Sequence, residues 1–437
     1  MPTLDTEYTF RNWDRSLVCK PQHFYQPETE EEVIEIVRNV SRAGGTARTV
    51  GAGHSWSPLV ITDDTLLNLD HLSRLVAVDA ERRQVTIQAG IRIKELNALL
   101  PQHGLAMANL GSIAEQSIAG AISTGTHGTG LRFGSLSTQI VGMNLVTAGG
   151  RLLQISADKQ PELMAAARVS LGALGVITQV TIQCVKAFNL YLHAEPRPFD
   201  EVLRRIDTLL QENDRVRLYW FPGTHVIYVM TLNHTDQAIT PRQPIIEWFN
   251  NVALRHDLMA LLIRAGHRLP DLVDKINQFE AKVGFVEENQ VARSDHILNI
   301  PMPPRHQESE YAVPVENTAE AVRLTRKIIE ENNYKVTVPV EVRFVAADED
   351  MLSPAYRRAI CYIGAYTYSE HFAQPFFEGF ESAMKGLDGR PHWGKRHSLT
   401  TAEAQQVYPM FDRFNEIRKE LDPAGTFANS YLRGLFG

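Results

Sequence analysis

Hydrophobic positions recur with two different periods along the N-terminal 185 residues. Between residues 33 and 40 they have the spacing of one helix face, and the capping box Thr29-Glu30-Glu31-Glu32 precedes them, so we predict a helix that ends at about residue 43. A second helical pattern runs from about Arg92 to His103 and stops at Gly104. Shorter apolar segments predict strands. They lie at 46–50, 66–69, 75–78, 84–89, 140–148, 151–155 and 175–185.

After residue 185 the glycine density falls and longer helical patterns appear, so we predict that a second domain begins there. A chain of 437 residues is also too long for one ordinary hydrophobic core. The predicted strands of this part are 215–221 and 337–345, and its helices lie at 199–206, within 246–282 and at about 401–421. This mixture indicates an α+β protein.

Composition narrows the class of function. Hydrophobic residues make up 44% of the chain and charged residues 22%, which is the balance of a globular protein. The formal net charge of −7 gives no electrostatic basis for binding nucleic acid. With three cysteines and no CxxC pair, we predict neither a disulfide framework nor a thiolate metal site. No signal peptide or membrane-spanning segment is recognisable, so we expect a soluble cytoplasmic protein.

Three dense runs of small and polar residues are the candidates for chemistry, at 51–57, 111–130 and 391–397. None has the spacing of a Rossmann or P-loop nucleotide motif, and the sequence contains no HExxH, no GxSxG and no metal-spaced cluster of histidines and carboxylates. In the second run, glycine, serine and threonine alternate so closely that backbone N–H groups and hydroxyls could approach a diphosphate. A tightly packed turn would have the same composition, and glycine content does not separate the two.

Four charged or titratable residues stand out, but their neighbourhoods alone favour ordinary roles. His54 directly follows a strand and is most simply a loop histidine. Glu341 and Arg343 share one face of a strand whose other face is apolar, and periodicity favours a solvated face with cross-strand ion pairs. Lys395 can be a surface lysine beside a structural His392-Trp393 pair.

Five segments in fixed order nevertheless resemble the vanillyl-alcohol-oxidase-type flavoproteins, and within them the aldonolactone oxidoreductases and the bacterial alditol oxidases. The segments are Gly51-Ala52-Gly53-His54-Ser55, the glycine-rich run to Gly130, the Glu341-x-Arg343 strand, His392-Trp393-Gly394-Lys395 and the C-terminal run from Asp422. The resemblance implies a two-domain α+β flavoprotein fold. Residues 1–185 would bind FAD with 395–437 packed back onto them, and residues 186–394 would form a substrate domain on an antiparallel sheet with flanking helices.

In covalent members of this family a histidine at this point of the loop is bonded to the 8α-methyl carbon of FAD, so the resemblance makes His54 the attachment site. It also implies that the following segment holds the pyrophosphate and ribityl chain, and that a valine lies near the adenine. The implied cofactor-binding residues are His54, Gly51, Ala52, Gly53, Ser55, Gly111, Ser117, Gly120, Thr124, Gly125, Thr126, His127, Gly128, Val176 and Val180.

The same resemblance implies the chemistry. FAD would take a hydride at N5 from a hydroxyl-bearing carbon of a small sugar-derived substrate, and molecular oxygen would be reduced to hydrogen peroxide. Glu341 and Arg343 would hold substrate hydroxyls, Ser112 would face the substrate, and Lys395 would place positive charge near the flavin and the reacting hydroxyl. Relatives that react poorly with oxygen carry a methyl group at the position of Gly111, so this glycine favours an oxidase over a dehydrogenase.

One segment departs from the alditol oxidases, which have a His-x-Thr pair on the next strand. Here Ala365 replaces the histidine, and Thr367 is kept as a candidate substrate contact. The change favours a lactone, above all an aldono-1,4-lactone, or another cyclic or oligomeric sugar over an open-chain polyol. The alternatives are an alditol or oligosaccharide oxidase, a dehydrogenase that passes electrons to a cytochrome or quinone, and a carbohydrate-binding protein without flavin.

Overall fold

The structure is a computed structural model that describes residues 3–241, 259–300, 304–368 and 370–437. Its strands are β1 (Thr3–Asp5), β2 (Phe10–Arg11), β3 (Val18–Cys19), β4 (His23–Gln26), β5 (Ala47–Val50), β6 (Thr65–Asn68), β7 (Leu75–Asp79), β8 (Gln84–Gln88), β9 (Leu105–Ala106), β10 (Ile140–Val146), β11 (Leu152–Ser156), β12 (Val176–Gln183), β13 (Val185–Lys186), β14 (Asn189–Pro198), β15 (Arg215–Trp220), β16 (Val226–Thr235), β17 (Glu288–Arg293), β18 (Gln307–Pro314), β19 (Val340–Val345), β20 (Ile360–Thr367) and β21 (Arg390–Pro391). Its α-helices are α1 (Glu30–Arg42), α2 (Ile93–Leu99), α3 (Ile118–Ser123), α4 (Pro161–Arg168), α5 (Phe199–Arg204), α6 (Ile206–Glu212), α7 (Met259–Arg268), α8 (Val273–Gly284), α9 (Ser294–Leu298), α10 (Thr318–Glu331), α11 (Glu370–Lys385), α12 (Thr401–Val407), α13 (Phe411–Leu421) and α14 (Ser430–Phe436).

The N-terminal domain contains two main sheets with α1 packed between them. One sheet has the strand order β1-β4-β6-β5, in which β6 runs parallel to β4 and β5. The other is antiparallel with the order β11-β10-β12-β8-β7. Val33, Ile36 and Val37 of α1 enter a core formed with residues of both sheets. The Thr29 side chain accepts from the Glu32 N–H at 3.2 Å, as the capping sequence predicts.

The C-terminal domain is built on one antiparallel sheet of order β17-β14-β16-β15-β19-β20-β18-β21. Helices α10 and α11 cover one face, where Val342, Phe344 and Ile363 are buried in a common apolar cluster. Because side chains alternate along a strand, Glu341 and Arg343 of β19 project from the opposite face. This face lies against the N-terminal domain, since Arg343 Nη1 donates to the His127 carbonyl at 3.4 Å.

Two predicted helices differ from those observed. The pattern at 92–103 forms α2 and then a 3-10 turn that ends at Gly104, whose φ is 67°. The single helix predicted at 401–421 is wrong, because α12 and α13 are separate helices with Pro409 between them, and proline has no N–H to continue the ladder. Of the pattern within 246–282, residues 246–258 lie outside the described ranges. No helix among the described residues is long and apolar enough to cross a bilayer.

The C-terminal tail lies against the N-terminal domain. Ala47 N–H donates to the Thr426 carbonyl at 2.7 Å, and the buried Arg48 guanidinium donates to the Phe427 carbonyl and to Leu59 O. The Asn429 amide donates to the Ile61 carbonyl at 2.9 Å. The tail therefore holds β5, the strand that leads into residues 51–55, in place.

Candidate active site

The loop at 51–55 and the glycine-rich run line one cleft in the N-terminal domain. All five loop residues border it, and Ser117 and Gly120 border it from the other segment. The close approach of the two segments depends on Gly51, since a methyl group there would lie 2.1 Å from the Ser117 hydroxyl oxygen.

Part of the glycine-rich run is helical rather than a loop. Ser117 caps α3 by accepting from the Gly120 N–H at 3.3 Å, and the Thr124 hydroxyl donates to the Gly120 carbonyl at 3.2 Å. These two hydroxyls are therefore engaged within the run. Gly125 adopts φ 73°, a conformation that glycine tolerates without strain. Gln116 donates to the Thr126 hydroxyl at 3.1 Å, which fixes the chain as it leaves the cleft.

His54 lies in this cleft in an unusual environment. Both ring nitrogens are inaccessible to solvent and have no hydrogen-bond partner among the described residues. Burial, and after it the positive charge of Lys395, lowers the pKa of His54 to about 4. The imidazole is therefore neutral at pH 7 and keeps one nitrogen lone pair. It stacks beside Trp13 at 5.8 Å between ring centroids.

The two valines predicted to lie near the adenine do not line the cleft. Val176 and Val180 are packed into two apolar cores. Their neighbour Ile177 lines the cleft instead, together with Gly172 and Gly175. Apolar strand residues look alike in sequence, so only their packing shows which of them borders the cleft.

On the C-terminal domain, one face of four neighbouring strands carries a cluster of buried and half-buried polar residues. Its members are Arg217 and Tyr219 on β15, Glu341 and Arg343 on β19, Tyr362 and Tyr366 on β20, and Glu308 and Glu310 on β18. Glu341 and Arg343 are each only 7% exposed, so the solvated face favoured by periodicity is wrong. We call this set the charged cluster.

Glu341 is held by two tyrosines and two arginines. Its Oε1 accepts from the Tyr219 hydroxyl at 2.9 Å, and its Oε2 accepts from the Tyr366 hydroxyl at 2.9 Å. Arg217 and Arg343 approach these oxygens at 3.5 and 3.6 Å. Burial alone would raise the pKa of Glu341, but the two arginines outweigh it and leave that pKa below its ordinary value. The carboxylate is therefore ionised and fixed in orientation.

Glu308 and Glu310 are site residues that sequence reasoning missed. Glu310 accepts from Arg343 Nη2 at 2.7 Å, and Glu308 pairs with Lys395. Burial raises the pKa of each carboxyl. Lys395 and His306 together outweigh it for Glu308, and Arg343, His127 and Lys395 together outweigh it for Glu310, so both carboxyls are ionised. The signal in the sequence was the alternation of two acidic residues with Ser309 and Tyr311 in an otherwise apolar strand.

Lys395 is not a surface lysine. Its side chain is 18% exposed, and the ammonium lies 4.6 Å from the centroid of the Trp56 ring. Hydrogen bonds join its loop to the loop that carries His54. The backbone N–H of Trp56 donates to the Gly394 carbonyl at 2.8 Å, and the Ser57 hydroxyl donates to the Trp393 carbonyl at 2.5 Å. Two segments far apart in sequence are thus brought together.

The side chain of His127 belongs to the charged cluster rather than to the cleft. It stacks on Tyr362 at 3.7 Å, its Nδ1 donates to the Gly128 carbonyl at 3.0 Å, and its Nε2 lies 3.4 Å from Glu310. His392 is close enough to complete a three-residue group. However, the His392 Nδ1 accepts from the Gly394 N–H, so its proton is on Nε2 and no ring lone pair is free for a metal ion.

Thr367 is placed away from the predicted substrate contacts. It follows Ile363 and Ala365 on the face of β20 that packs beneath the helices. The intervening residues, Gly364 and Tyr366, face the charged cluster. A methyl group on Gly364 would lie 2.7 Å from the Tyr366 hydroxyl, so the tyrosine ring folds over the glycine to reach Glu341. Tyr366, and not Thr367, therefore lies on the face of β20 that carries the charged cluster.

Gly111 and Ser112 are held by backbone hydrogen bonds from the C-terminal domain. Asn299 donates to the Gly111 carbonyl at 2.7 Å, and Ile300 N–H donates to the Ser112 carbonyl at 2.8 Å, so the backbone here is fixed by the C-terminal domain. The Ser112 hydroxyl is buried and has no hydrogen-bond partner among the described residues. It is thus available to a bound molecule.

Five residues of the site carry buried polar atoms without partners. Among the described residues, such atoms occur on His54 and Ser112 from one domain and on Arg217, Glu310 and Arg343 from the other, and also on Ser170, Asn277, Glu280, Arg358 and Arg390. Buried polar atoms in native proteins almost always have partners. This group indicates that a polar ligand and a cofactor complete the site.

Comparison with known proteins identifies the family. Residues 180–435 match the family model for D-arabinono-1,4-lactone oxidase, and residues 21–156 match that for an FAD-binding domain. The chain belongs to the D-arabinono-1,4-lactone oxidase family. It is 38% identical over 435 residues to L-gulonolactone oxidase of Scyliorhinus torazame, and the match covers 98% of each chain. It is 35% identical over 430 residues to L-gulono-1,4-lactone dehydrogenase of Mycobacterium tuberculosis, again covering 98% of each.

A solved structure confirms the fold of this D-arabinono-1,4-lactone oxidase family member. Cholesterol oxidase from B. sterolicum superimposes with a TM-score of 0.84 at 17% identity, and the match covers all of this chain and 98% of that one. The two-domain α+β flavoprotein fold expected from the sequence is therefore confirmed. The family assignment makes the protein an FAD-dependent oxidoreductase, as the five segments predicted.

Proposed function

We propose that this enzyme oxidises a hydroxyl-bearing carbon of an aldono-1,4-lactone and uses molecular oxygen as the acceptor, with release of hydrogen peroxide. The observation that carries the proposal is that Lys395 links two sets of partnerless buried polar atoms, since it pairs with Glu308 of the charged cluster and lies close enough to His54 to lower the pKa of that histidine. The names of the relatives, lactone oxidases and a lactone dehydrogenase, support this substrate class.

Some residues of the site would bind the substrate, and Lys395 would supply positive charge. Glu341 is ionised and immobilised by Tyr219 and Tyr366, so it can accept from a substrate hydroxyl without reorienting. Arg343 and Ser112 would donate to substrate oxygens. Lys395 would place positive charge near the reacting hydroxyl and the flavin. FAD, when bound, supplies the hydride acceptor at N5 and passes the electrons to oxygen.

The chain's residues also fit a flavin in the cleft. Ser117 and Gly120 line the cleft opposite the His54 loop, where backbone groups would meet the pyrophosphate. His54 keeps a free lone pair because its lowered pKa leaves it neutral, and no described residue occupies either nitrogen. We include in the proposal that this nitrogen carries FAD on a bond to the 8α-methyl carbon.

The covalent bond predicts a simple result. When the wild-type protein is precipitated with acid, we expect nearly all of the flavin absorbance to remain in the pellet. The His54→Ala variant should release its flavin to the supernatant, because alanine provides no nitrogen for the bond. The His71→Ala variant is the matched control, since His71 is an exposed histidine of the same domain. Wild-type flavin in the supernatant would show that FAD is bound without a covalent link.

The substrate class is tested by a panel of aldonolactones, alditols and oligosaccharides with hydrogen peroxide as the readout. We expect peroxide with an aldono-1,4-lactone at a kcat/KM at least about tenfold above that for any alditol, a difference of about 1.4 kcal/mol in activation free energy. Oxidation of the lactone with an artificial dye but without peroxide would identify a dehydrogenase instead. Preference for an alditol or an oligosaccharide would overturn the substrate assignment.

A further inference from the structure

Arg217 is a buried cation whose hydrogen-bonding capacity is unused. Its side chain is 1% exposed, and its Nε and Nη2 have no hydrogen-bond partner among the described residues. A guanidinium can only donate. Buried donors without an acceptor are unfavourable, so a bound molecule that supplies an acceptor would find a prepared position here.

The carboxylates of the charged cluster do not meet this need. Glu341 approaches Arg217 Nε at 3.5 Å, but its two oxygens accept from Tyr219 and Tyr366. Glu310 accepts from the Nη2 of Arg343 through its Oε1, and its free Oε2 forms no ion pair with Arg217 in the described structure. Arg343 is thus held by a carboxylate through a short hydrogen bond, whereas Arg217 has only a long ionic contact.

The register of the sheet brings the two arginines to neighbouring positions. Arg217 on β15 pairs directly with Arg343 on β19, so both side chains project from the face that lies against the N-terminal domain. A substrate held by Arg343 therefore lies beside Arg217. Two free donors on one planar fork suit an oxygen that only accepts, as a carbonyl does, better than a hydroxyl that also needs an acceptor.

We infer that Arg217 donates to the ring carbonyl oxygen of the substrate and thereby selects a lactone over a polyol. This inference rests on the proposed function, and it assigns the enzyme's preference for a lactone to Arg217. An alditol has hydroxyl groups but no carbonyl. Loss of the arginine would therefore weaken binding of the lactone and leave binding of a carbonyl-free ring almost unchanged.

The test compares two ligands that differ at this group. An aldono-1,4-lactone and the corresponding 1,4-anhydroalditol, which has CH₂ in place of the carbonyl, are titrated under anaerobic conditions into the flavin-loaded enzyme, with the change in flavin absorbance as the readout. For Arg217→Met we expect lactone affinity to fall about 10- to 100-fold and anhydroalditol affinity to stay within about twofold. Flavin content should be unchanged, because Glu341 keeps Arg343 and both tyrosines as partners.

Arg217→Lys keeps the charge but loses the planar fork, and we expect the same selective loss for the lactone at a smaller size. The lysine variant tests the inference if the methionine variant fails to fold. Equal weakening of both ligands, or loss of flavin from the lysine variant, would make Arg217 a structural partner of Glu341 and overturn the inference. Unchanged lactone affinity would also overturn it. Failure of the proposed function would be seen separately, as the absence of peroxide from wild-type enzyme with every aldonolactone.

Discussion

Replacing Lys395 by methionine is expected to slow reduction of the flavin by substrate about 100- to 1,000-fold while the protein keeps its flavin. The Lys395 ammonium lies over Trp56, pairs with Glu308, and is close enough to His54 to lower the pKa of that histidine. Methionine has a similar length but no charge to stabilise an alkoxide. Anaerobic stopped-flow absorbance measures the reduction rate, and the flavin-to-protein absorbance ratio measures flavin content.

The same substitution leaves the buried carboxylate of Glu308 without its cation, which costs several kcal/mol in other proteins. The double variant Lys395→Met/Glu308→Gln removes that penalty, so we expect its thermal stability to recover. Its reduction rate should stay low if the ammonium acts on the reaction. A double variant that recovers the rate as well would show that Lys395 serves only to neutralise Glu308.

Replacing Gly111 by alanine is expected to lower the rate of oxygen consumption about tenfold or more, an added barrier of at least about 1.4 kcal/mol, while dye-linked activity is largely kept. A methyl group here would lie 3.1 Å from Thr126 Cγ2 and 3.3 Å from the His127 carbonyl, so it fits only if its neighbours yield by a few tenths of an ångström. We propose that this methyl group would cover the edge of the flavin that oxygen must reach. An oxygen electrode and a dye-reduction assay measure the two activities.

Gly149→Ala is the matched control for this prediction. Gly149 lies in the turn between β10 and β11, and a methyl group there meets nothing within 4 Å. It should change neither activity. If Gly111→Ala lowers oxygen and dye activity in parallel, the added methyl group disturbs packing rather than oxygen access. The comparison is relevant because relatives of similar identity are named as an oxidase and as a dehydrogenase.

Local sequence predicted the elements that depend on neighbouring residues. The cap and period of α1, the hairpin of β10 and β11 and the strand into residues 51–55 follow from short-range spacing and turn chemistry, and they are observed. The break at Pro409 also has a local cause that the pattern of apolar residues concealed. The ordered segments were sufficient to identify the family, since their similarity does not require knowledge of contacts.

The composition of the site was decided by tertiary structure. Glu308, Glu310, Arg217 and Tyr366 enter it because antiparallel pairing aligns β15, β19, β20 and β18, and residues far apart in sequence then share one face. The same pairing turns Thr367 toward the helices. Strand alternation predicts which residues of one strand share a face, but not which strands are neighbours or which face is covered.

His54 shows the same division. By sequence it was a histidine among small residues, indistinguishable from a loop histidine until the other segments were considered. The fold encloses its ring nitrogens without giving either a partner, and the loop of Lys395 brings a positive charge beside it. The sequence therefore determined that a histidine stands at this point of the loop. Burial and the approach of a distant loop decided that it is neutral and free to bond, because desolvation and charge depend on what the whole chain places around a group.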